Sequence, residues 1–199
     1  MAIIRSWKNT EAVAAMRDFL AAPPPRRAAI RELMKNLLAE NPFERRCAAD
    51  LARRVSERKP RILKAYASVL IDLAAQLPWD DWPSRGYVTL AAARNASTHA
   101  ERMRLATMVR RMIDDERIAL RAIALEAFGV LAAAEPALRE EAMPLMERYR
   151  REGPAAIRAR ARRMLLVLMK AKECFKSCLV TGHDFSRAET CYKRRGFNP

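Results

Sequence analysis

The apolar residues of this chain recur at helical spacing, in short blocks that prolines and polar turns separate. Blocks of this kind occupy 10–21, 26–40, 43–57, 61–77, 84–95, 98–113, 116–134, 137–151 and 155–172. Turn signals such as Asn41-Pro42, Pro78 and Glu135-Pro136 lie between them, because proline is tolerated only in the first turn of a helix. Helical blocks joined by short turns leave no room for strands, so we predict an all-α fold.

The predicted helices repeat in pairs. Every second helix begins with an arginine, and Arg46, Arg85, Arg121 and Arg158 are separated by 39, 36 and 37 residues. Six positions after each arginine comes an apolar residue, and these are Ala52, Ala91, Ala127 and Met164. A period near 37 residues with two helices per period predicts stacked helical hairpins.

The repeated segments resemble HEAT repeats, which belong to the armadillo-type α-solenoids. The resemblance is carried by segments such as 40–52 and 115–127, in which an acid precedes a helix with an arginine and an alanine-rich face. In that family an acid–Pro turn precedes this helix, and 40–52 has it at Pro42. The resemblance implies a right-handed α–α superhelix of about four HEAT-like hairpins over 23–172. A helix in 1–22 would cap this array, and 173–199 would form a basic, cysteine-containing, flexible tail.

The resemblance also implies roles for the repeated arginines. Arg46, Arg121 and Arg158 each follow an acid by six residues, so we expect them to pair with it, or with the neighbouring repeat, and fix the hairpin turn. The alternative is a basic ladder that faces a ligand. The second helix of each pair would build the concave face of the array.

Charge is concentrated towards the C-terminus. The chain has a formal net charge of +15, of which residues 148–199 carry +10. A basic patch of this kind attracts phosphates, so nucleic-acid binding through the last repeat and the tail is one hypothesis, with a DNA-repair role as a variant. The other interpretation is a solvated, arginine-rich face.

The candidate partner-binding residues lie outside the arginine ladder. They are Arg45, Arg53, Arg54, Arg160 and Arg163, with Trp82 as an aromatic anchor. Arginine and tryptophan are enriched where proteins bind one another. For the 79–83 turn, the alternative is that Trp79 and Trp82 fill a gap in the irregular second repeat.

The sequence gives no catalytic set. Its two histidines, His99 and His183, offer little for nucleophilic catalysis, and no glycine-rich phosphate loop occurs. HEAT-like DNA glycosylases combine Trp, Asp and Arg on a basic face, but none of their motifs is matched residue by residue. We therefore expect a non-enzymatic protein without a cofactor, and a glycosylase is the alternative.

One metal site is conceivable in the tail. Cys174, Cys178, His183 and Cys191 could close a tetrahedral zinc site of the knuckle type. The alternative is a tail with free thiols, and we expect no metal.

The sequence also gives expectations for the cellular location of the protein and for its binding partner. Residues 1–8 are too short and too polar for a secretory signal, and no apolar run could span a bilayer, so we expect a cytoplasmic protein away from membranes. The sequence favours a scaffold that recruits a protein partner on its concave face. Nucleic acid is the alternative partner.

Overall fold

The helices are stabilised because their apolar faces pack against one another. The computed structural model describes residues 9–21 and 27–180, and within them the chain is all-α, without a strand. The helices are α1 (Asn9–Ala21), α2 (Arg27–Leu37), α3 (Pro42–Arg58), α4 (Ala67–Gln76), α5 (Trp82–Asn95), α6 (His99–Ile113), α7 (Ile118–Ala134), α8 (Pro136–Arg151) and α9 (Ala155–Val180). A short 3-10 helix, Lys64–Tyr66, precedes α4.

Local caps explain several helix starts. The Asn41 side chain accepts a hydrogen bond from the Phe43 N–H at 2.9 Å, and Pro42 occupies the first position of α3. At α6, Thr98 and Glu101 form a reciprocal capping box. These polar and proline signals are readable in the sequence, so the predicted boundaries lie close to the observed ones.

The start of α4 differs from the prediction of a helix from residue 61. Arg61 has a positive φ of 67°, and the chain turns through the 3-10 helix before α4 begins. The Leu63 N–H is bound by the Asn95 side chain at 2.8 Å, so this contact stabilises an irregular start. At the other end of the chain, α9 continues past the expected helix end at 172.

The described residues divide into two compact units, the first up to residue 96 and the second from residue 97. In the first, α2 packs on α3 and α4 packs on α5, giving two helical hairpins, while α3 also lies against α5 and α1. Its fully buried core includes Leu37, Val55, Leu70 and Ala91. The second helices of neighbouring hairpins are therefore in direct contact.

The second unit has the same internal order. Helices α6 and α7 form one hairpin, α8 and α9 form another, and α7 packs on both α8 and α9. Leu120, Phe128, Leu131 and Leu168 are fully buried. Among the described residues, no helix has the length and apolar character needed to cross a lipid bilayer.

Candidate functional site

A groove lies between α3 and α5 in the first unit. Its cavity volume is about 390 Å³. The lining residues are Phe43, Arg46, Cys47, Asp50, Arg53, Arg54 and Tyr87. The six on α3 recur at helical spacing along one face, and Tyr87 comes from α5. Two of the sequence-predicted residues, Arg53 and Arg54, are thus brought together in this groove.

Asp50 organises the arginines of the groove. It is buried, and its Oδ1 accepts from Arg53 Nη2 at 2.6 Å while its Oδ2 accepts from Arg54 Nε at 2.7 Å. Burial would raise the pKa of the Asp50 carboxyl, but the charge of Arg53 and the hydrogen bonds from both arginines hold it below its usual value. Asp50 is therefore a fixed negative charge shared by two cations.

The remaining lining groups give the groove a mixed character. The Arg53 guanidinium lies 5.2 Å from the centroid of the Tyr87 ring. Burial, and then the charge of Asp50, raise the pKa of the Cys47 thiol to about 11, so it stays protonated at neutral pH. Arg46 is exposed and has no ion-pair partner among the described residues. The groove therefore combines aromatic rings, a neutral thiol and one unpaired cation.

A related cluster lies in the second unit. Glu126 on α7 is buried, and both Arg160 and Arg163 on α9 form ion pairs with it. The two predicted residues of the last repeat are therefore brought together on one carboxylate. In each unit, a buried acid on the second helix of a hairpin is bound by two arginines.

The predicted residue Arg45 has a different environment. Its Nε and Nη2 bind Asp81 Oδ2, each at 2.7 Å, and its Nη1 donates to the Ala39 carbonyl at 2.8 Å. Asp81 is the N-cap residue of α5, so Arg45 links the start of one hairpin's second helix to the start of the next. These contacts occupy all three guanidinium nitrogens.

The two tryptophans of the 79–83 turn differ in solvent exposure. Trp82 is the first residue of α5 and is half-buried, whereas Trp79 remains 43% exposed. The Arg85 guanidinium is buried 4.2 Å from the Trp79 ring centroid and donates to the Leu77 carbonyl. Trp79 is thus the more exposed ring of the two.

The repeat arginines do not form ion pairs with the acids six residues before them, whereas Arg121 contacts the neighbouring repeat through the Tyr149 ring, 5.6 Å from its guanidinium. Arg46 and Arg121 form no ion pair with Glu40 or Asp115, and Arg158 Nη1 donates to the Gly153 carbonyl at 2.9 Å instead of reaching Glu152. Arginines near helix starts bind backbone carbonyls of the preceding turn or helix end, where unpaired carbonyls are abundant. Those that do so are Arg45, Arg85, Arg102, Arg139 and Arg158.

The basic surface of the second unit includes several exposed arginines. Those at the end of α8 and on α9 are Arg148, Arg150, Arg151, Arg158, Arg162 and Arg163. The one aromatic residue among them, Tyr149, is buried, and the guanidiniums of Arg148 and Arg121 lie 4.9 and 5.6 Å from its ring centroid. Tyr149 is therefore core and offers no stacking surface.

The described residues include one histidine, His99, and no group of side chains that could bind a metal ion. His99 Nδ1 lies 3.0 Å from Glu135 Oε2 at the surface. The hypothetical zinc ligands His183 and Cys191, and the side chains of Cys174 and Cys178, lie outside the described residues.

Sequence reasoning missed Phe43, Asp50, Tyr87 and Glu126. Asp50 precedes Arg53 and Arg54 by three and four residues, which is the spacing of helical ion pairs, so that cluster was readable. Comparison of the chain with protein-family models, with curated proteins and with solved structures finds no match.

Proposed function

We propose that the protein is a non-enzymatic, HEAT-like binding module that holds a protein partner against the second helices of its hairpins. The observation that carries the proposal is the packing of α3 on α5 and of α7 on α9. In each pair, two such helices lie side by side and carry a buried carboxylate with two arginines. The right-handed superhelix implied by the resemblance stays a prediction.

The chemistry of these helices favours a protein over a polyanion. In the groove the arginines lie beside two aromatic rings, and a phosphate chain has no apolar group to cover these rings. Arginine beside tyrosine is typical of the centres of protein interfaces. In this proposal Arg53, Arg54, Arg160 and Arg163 contact the partner, while Arg45 positions α3 and α5.

The proposal assigns no catalytic step to this face. Its carboxylates Asp50 and Glu126 are held in ion pairs with arginines, and the Cys47 thiol is protonated at neutral pH because burial raises its pKa to about 11. A nucleophile or a general base needs a pKa close to the working pH. Recognition is therefore the role that these groups support.

Site-specific photocrosslinking in the native host tests the proposal. A photoreactive phenylalanine analogue replaces Tyr87 in the groove, and a matched variant carries it at the exposed Arg111 on α6. We expect discrete, nuclease-resistant protein adducts from position 87 and none of them from position 111. Identical adducts at both positions, or nucleic-acid adducts alone at position 87, would contradict a protein-binding face.

The exposed arginines of α8 and α9 support nucleic-acid binding as the second candidate function. Fluorescence anisotropy with duplex DNA, single-stranded DNA and RNA tests it over a salt series. On duplex DNA, each phosphate contact contributes about −0.9 to the slope of log affinity against log salt. Reversal of Arg151 and Arg162 to Glu should weaken salt-dependent binding, and unchanged binding would eliminate this candidate.

A further inference from the structure

We propose that the groove between α3 and α5 binds an acidic segment of the protein partner, with one apolar side chain of that segment seated in the cavity. This inference deepens the proposed function and rests on it. It adds the chemical class of the ligand and the place where the ligand binds.

The first argument for an acidic ligand is the charge of the groove. The groove is lined by three guanidiniums and one carboxylate, and a second carboxylate, that of Glu57, lies 3.4 Å from Arg53 Nη1. Asp50 neutralises part of the charge of Arg53 and Arg54, whereas Arg46 is exposed and has no ion-pair partner among the described residues. A ligand carboxylate that pairs with Arg46 would complete the groove, because carboxylates bind arginine through paired hydrogen bonds.

The second argument is that the Arg53 side chain is already held in place before a ligand binds. Arg53 is held by Asp50 on α3 and by Glu57 at 3.4 Å, and its guanidinium also lies near the Tyr87 ring. Its backbone carbonyl accepts from Arg94 Nη1 at 2.9 Å, which ties the same turn of α3 to α5. Side chains already fixed in this way lose little conformational entropy when a ligand binds.

The third argument is the size and the lining of the cavity. Its volume of about 390 Å³ is at the small end of the range for ligand sites, so it suits one or two side chains better than a bulky cofactor. Phe43, Tyr87 and the protonated Cys47 provide an apolar surface beside the guanidiniums. The matching ligand is an apolar residue flanked by aspartate or glutamate.

A random peptide library displayed on phage, panned against the full chain, gives the probes for the test. We expect enriched peptides that carry an apolar residue between acids. The most enriched peptide is then labelled with fluorescein, and a copy with each acid replaced by its amide is the ligand control. We expect the amide copy to bind at least about tenfold more weakly, because the guanidiniums lose their charged partners.

Two variants with the same charge change locate the binding. Arg46→Glu reverses the unpaired cation of the groove, and Arg58→Glu reverses an exposed arginine on the same helix that does not line it. We expect the first to weaken peptide binding roughly tenfold and the second less than about twofold. Both sites are exposed, so both variants should fold.

Cys47 supplies a footprint inside the groove. Because this thiol lines the cavity, a bound peptide should slow its alkylation by N-ethylmaleimide, followed by mass spectrometry of the peptide that contains it. Arg46→Glu should remove that protection, and Arg58→Glu should preserve it.

The outcomes separate the two proposals. Enrichment of neutral or basic peptides, an unchanged Cys47 alkylation rate, or equal effects of the two variants would overturn the acidic-segment inference. If protein crosslinks from position 87 persist in that case, the binding module stands with a different ligand chemistry. If single-stranded oligodeoxythymidine protects Cys47 better than the peptide does, the groove binds nucleic acid and the inference is wrong.

Discussion

Gly129 on α7 and Met164 on α9 meet at a point where a β-carbon on residue 129 would lie 2.8 Å from Cβ of Met164. Met164 occupies the repeat position that holds alanine in the three preceding repeats, namely Ala52, Ala91 and Ala127. The large side chain on one helix is therefore accommodated by the absence of a side chain on the other. The closely packed helix pair α7–α9 depends on this exchange of volume.

We predict that Gly129→Ala lowers the free energy of unfolding by roughly 1 kcal/mol, although alanine is the better helix former by a similar amount. The reason is that the new β-carbon meets the inner part of the Met164 side chain, which cannot swing away. Urea denaturation measures the change.

The effect of Gly129→Ala should reverse in a Met164→Ala background. There the contact is gone and only the helix preference of alanine remains, so the same substitution should stabilise by up to about 1 kcal/mol. Stabilisation in both backgrounds would show that the two residues are not coupled.

Asn95 should be essential for the turn between α3 and α4. It is fully buried, accepts from the Leu63 N–H at 2.8 Å, and donates to Ser56 Oγ at 3.0 Å and to the Ala91 carbonyl at 2.7 Å. Asn95→Ala leaves the Leu63 N–H buried without its acceptor, so we expect a loss of about 2 kcal/mol in unfolding free energy.

Hydrogen exchange distinguishes this local role from a general loss of stability. In Asn95→Ala the amide of Leu63 should lose protection before the amides of α3 do. The exposed Gln76 at the end of α4 provides the control, since Gln76→Ala should change neither quantity. Unaltered protection at Leu63 would refute the assignment.

Asp50 should make stability depend on acid. Its folded-state pKa is lowered from the usual 3.8, so its contribution is complete above that pH and is lost as pH falls through the folded pKa. Asp50→Asn should cost about 1–2 kcal/mol at neutral pH, less than for a fully buried pair because Arg53 and Arg54 keep contact with water.

Unfolding free energies of the wild type and of Asp50→Asn should therefore converge below about pH 4. The exposed Asp114 gives the matched control, and Asp114→Asn should change stability little at any pH. A difference between wild type and Asp50→Asn that stays constant down to about pH 3 would contradict the role of the charge.

The adjacent residues Arg45 and Arg46 should contribute very differently to stability. Arg45→Ala leaves the buried Asp81 carboxylate without its cation and frees the Ala39 carbonyl, so we expect a loss of about 2 kcal/mol. Arg46→Ala changes an exposed side chain and should alter stability by less than about 0.5 kcal/mol. Thermal unfolding of the two variants measures the contrast, and equal losses would show that the Arg45–Asp81 link is not stabilising.

Most helix boundaries could be predicted because their causes are local. Pro42 with Asn41, and Thr98 with Glu101, define helix starts within a few residues of sequence. The start of α4 could not be predicted, because the Leu63 N–H binds Asn95, 32 residues away. A contact at that distance depends on the packing of α3 on α5, which a single-sequence pattern does not encode.

The candidate site was predictable to different degrees. Arg53 and Arg54 were identified by charge, and their partner Asp50 follows from helix spacing. The pairing of Glu126 with Arg160 and Arg163 spans 34 and 37 residues, close to one repeat, so the repeat register is needed to see it. Tyr87 reaches the groove only because α5 packs on α3, and its sequence neighbours give no signal of this.

The arginines that bind backbone carbonyls have a consequence for how the hairpins can vary. A carbonyl is present whatever the side chain at that position, so Arg139 can bind Ala132 and Ala133 through groups that any residue would supply. The acceptor also has no titratable proton, so this contact persists in acid that neutralises Asp50. Side chains in these turns are thereby free to change while the turns keep their shape.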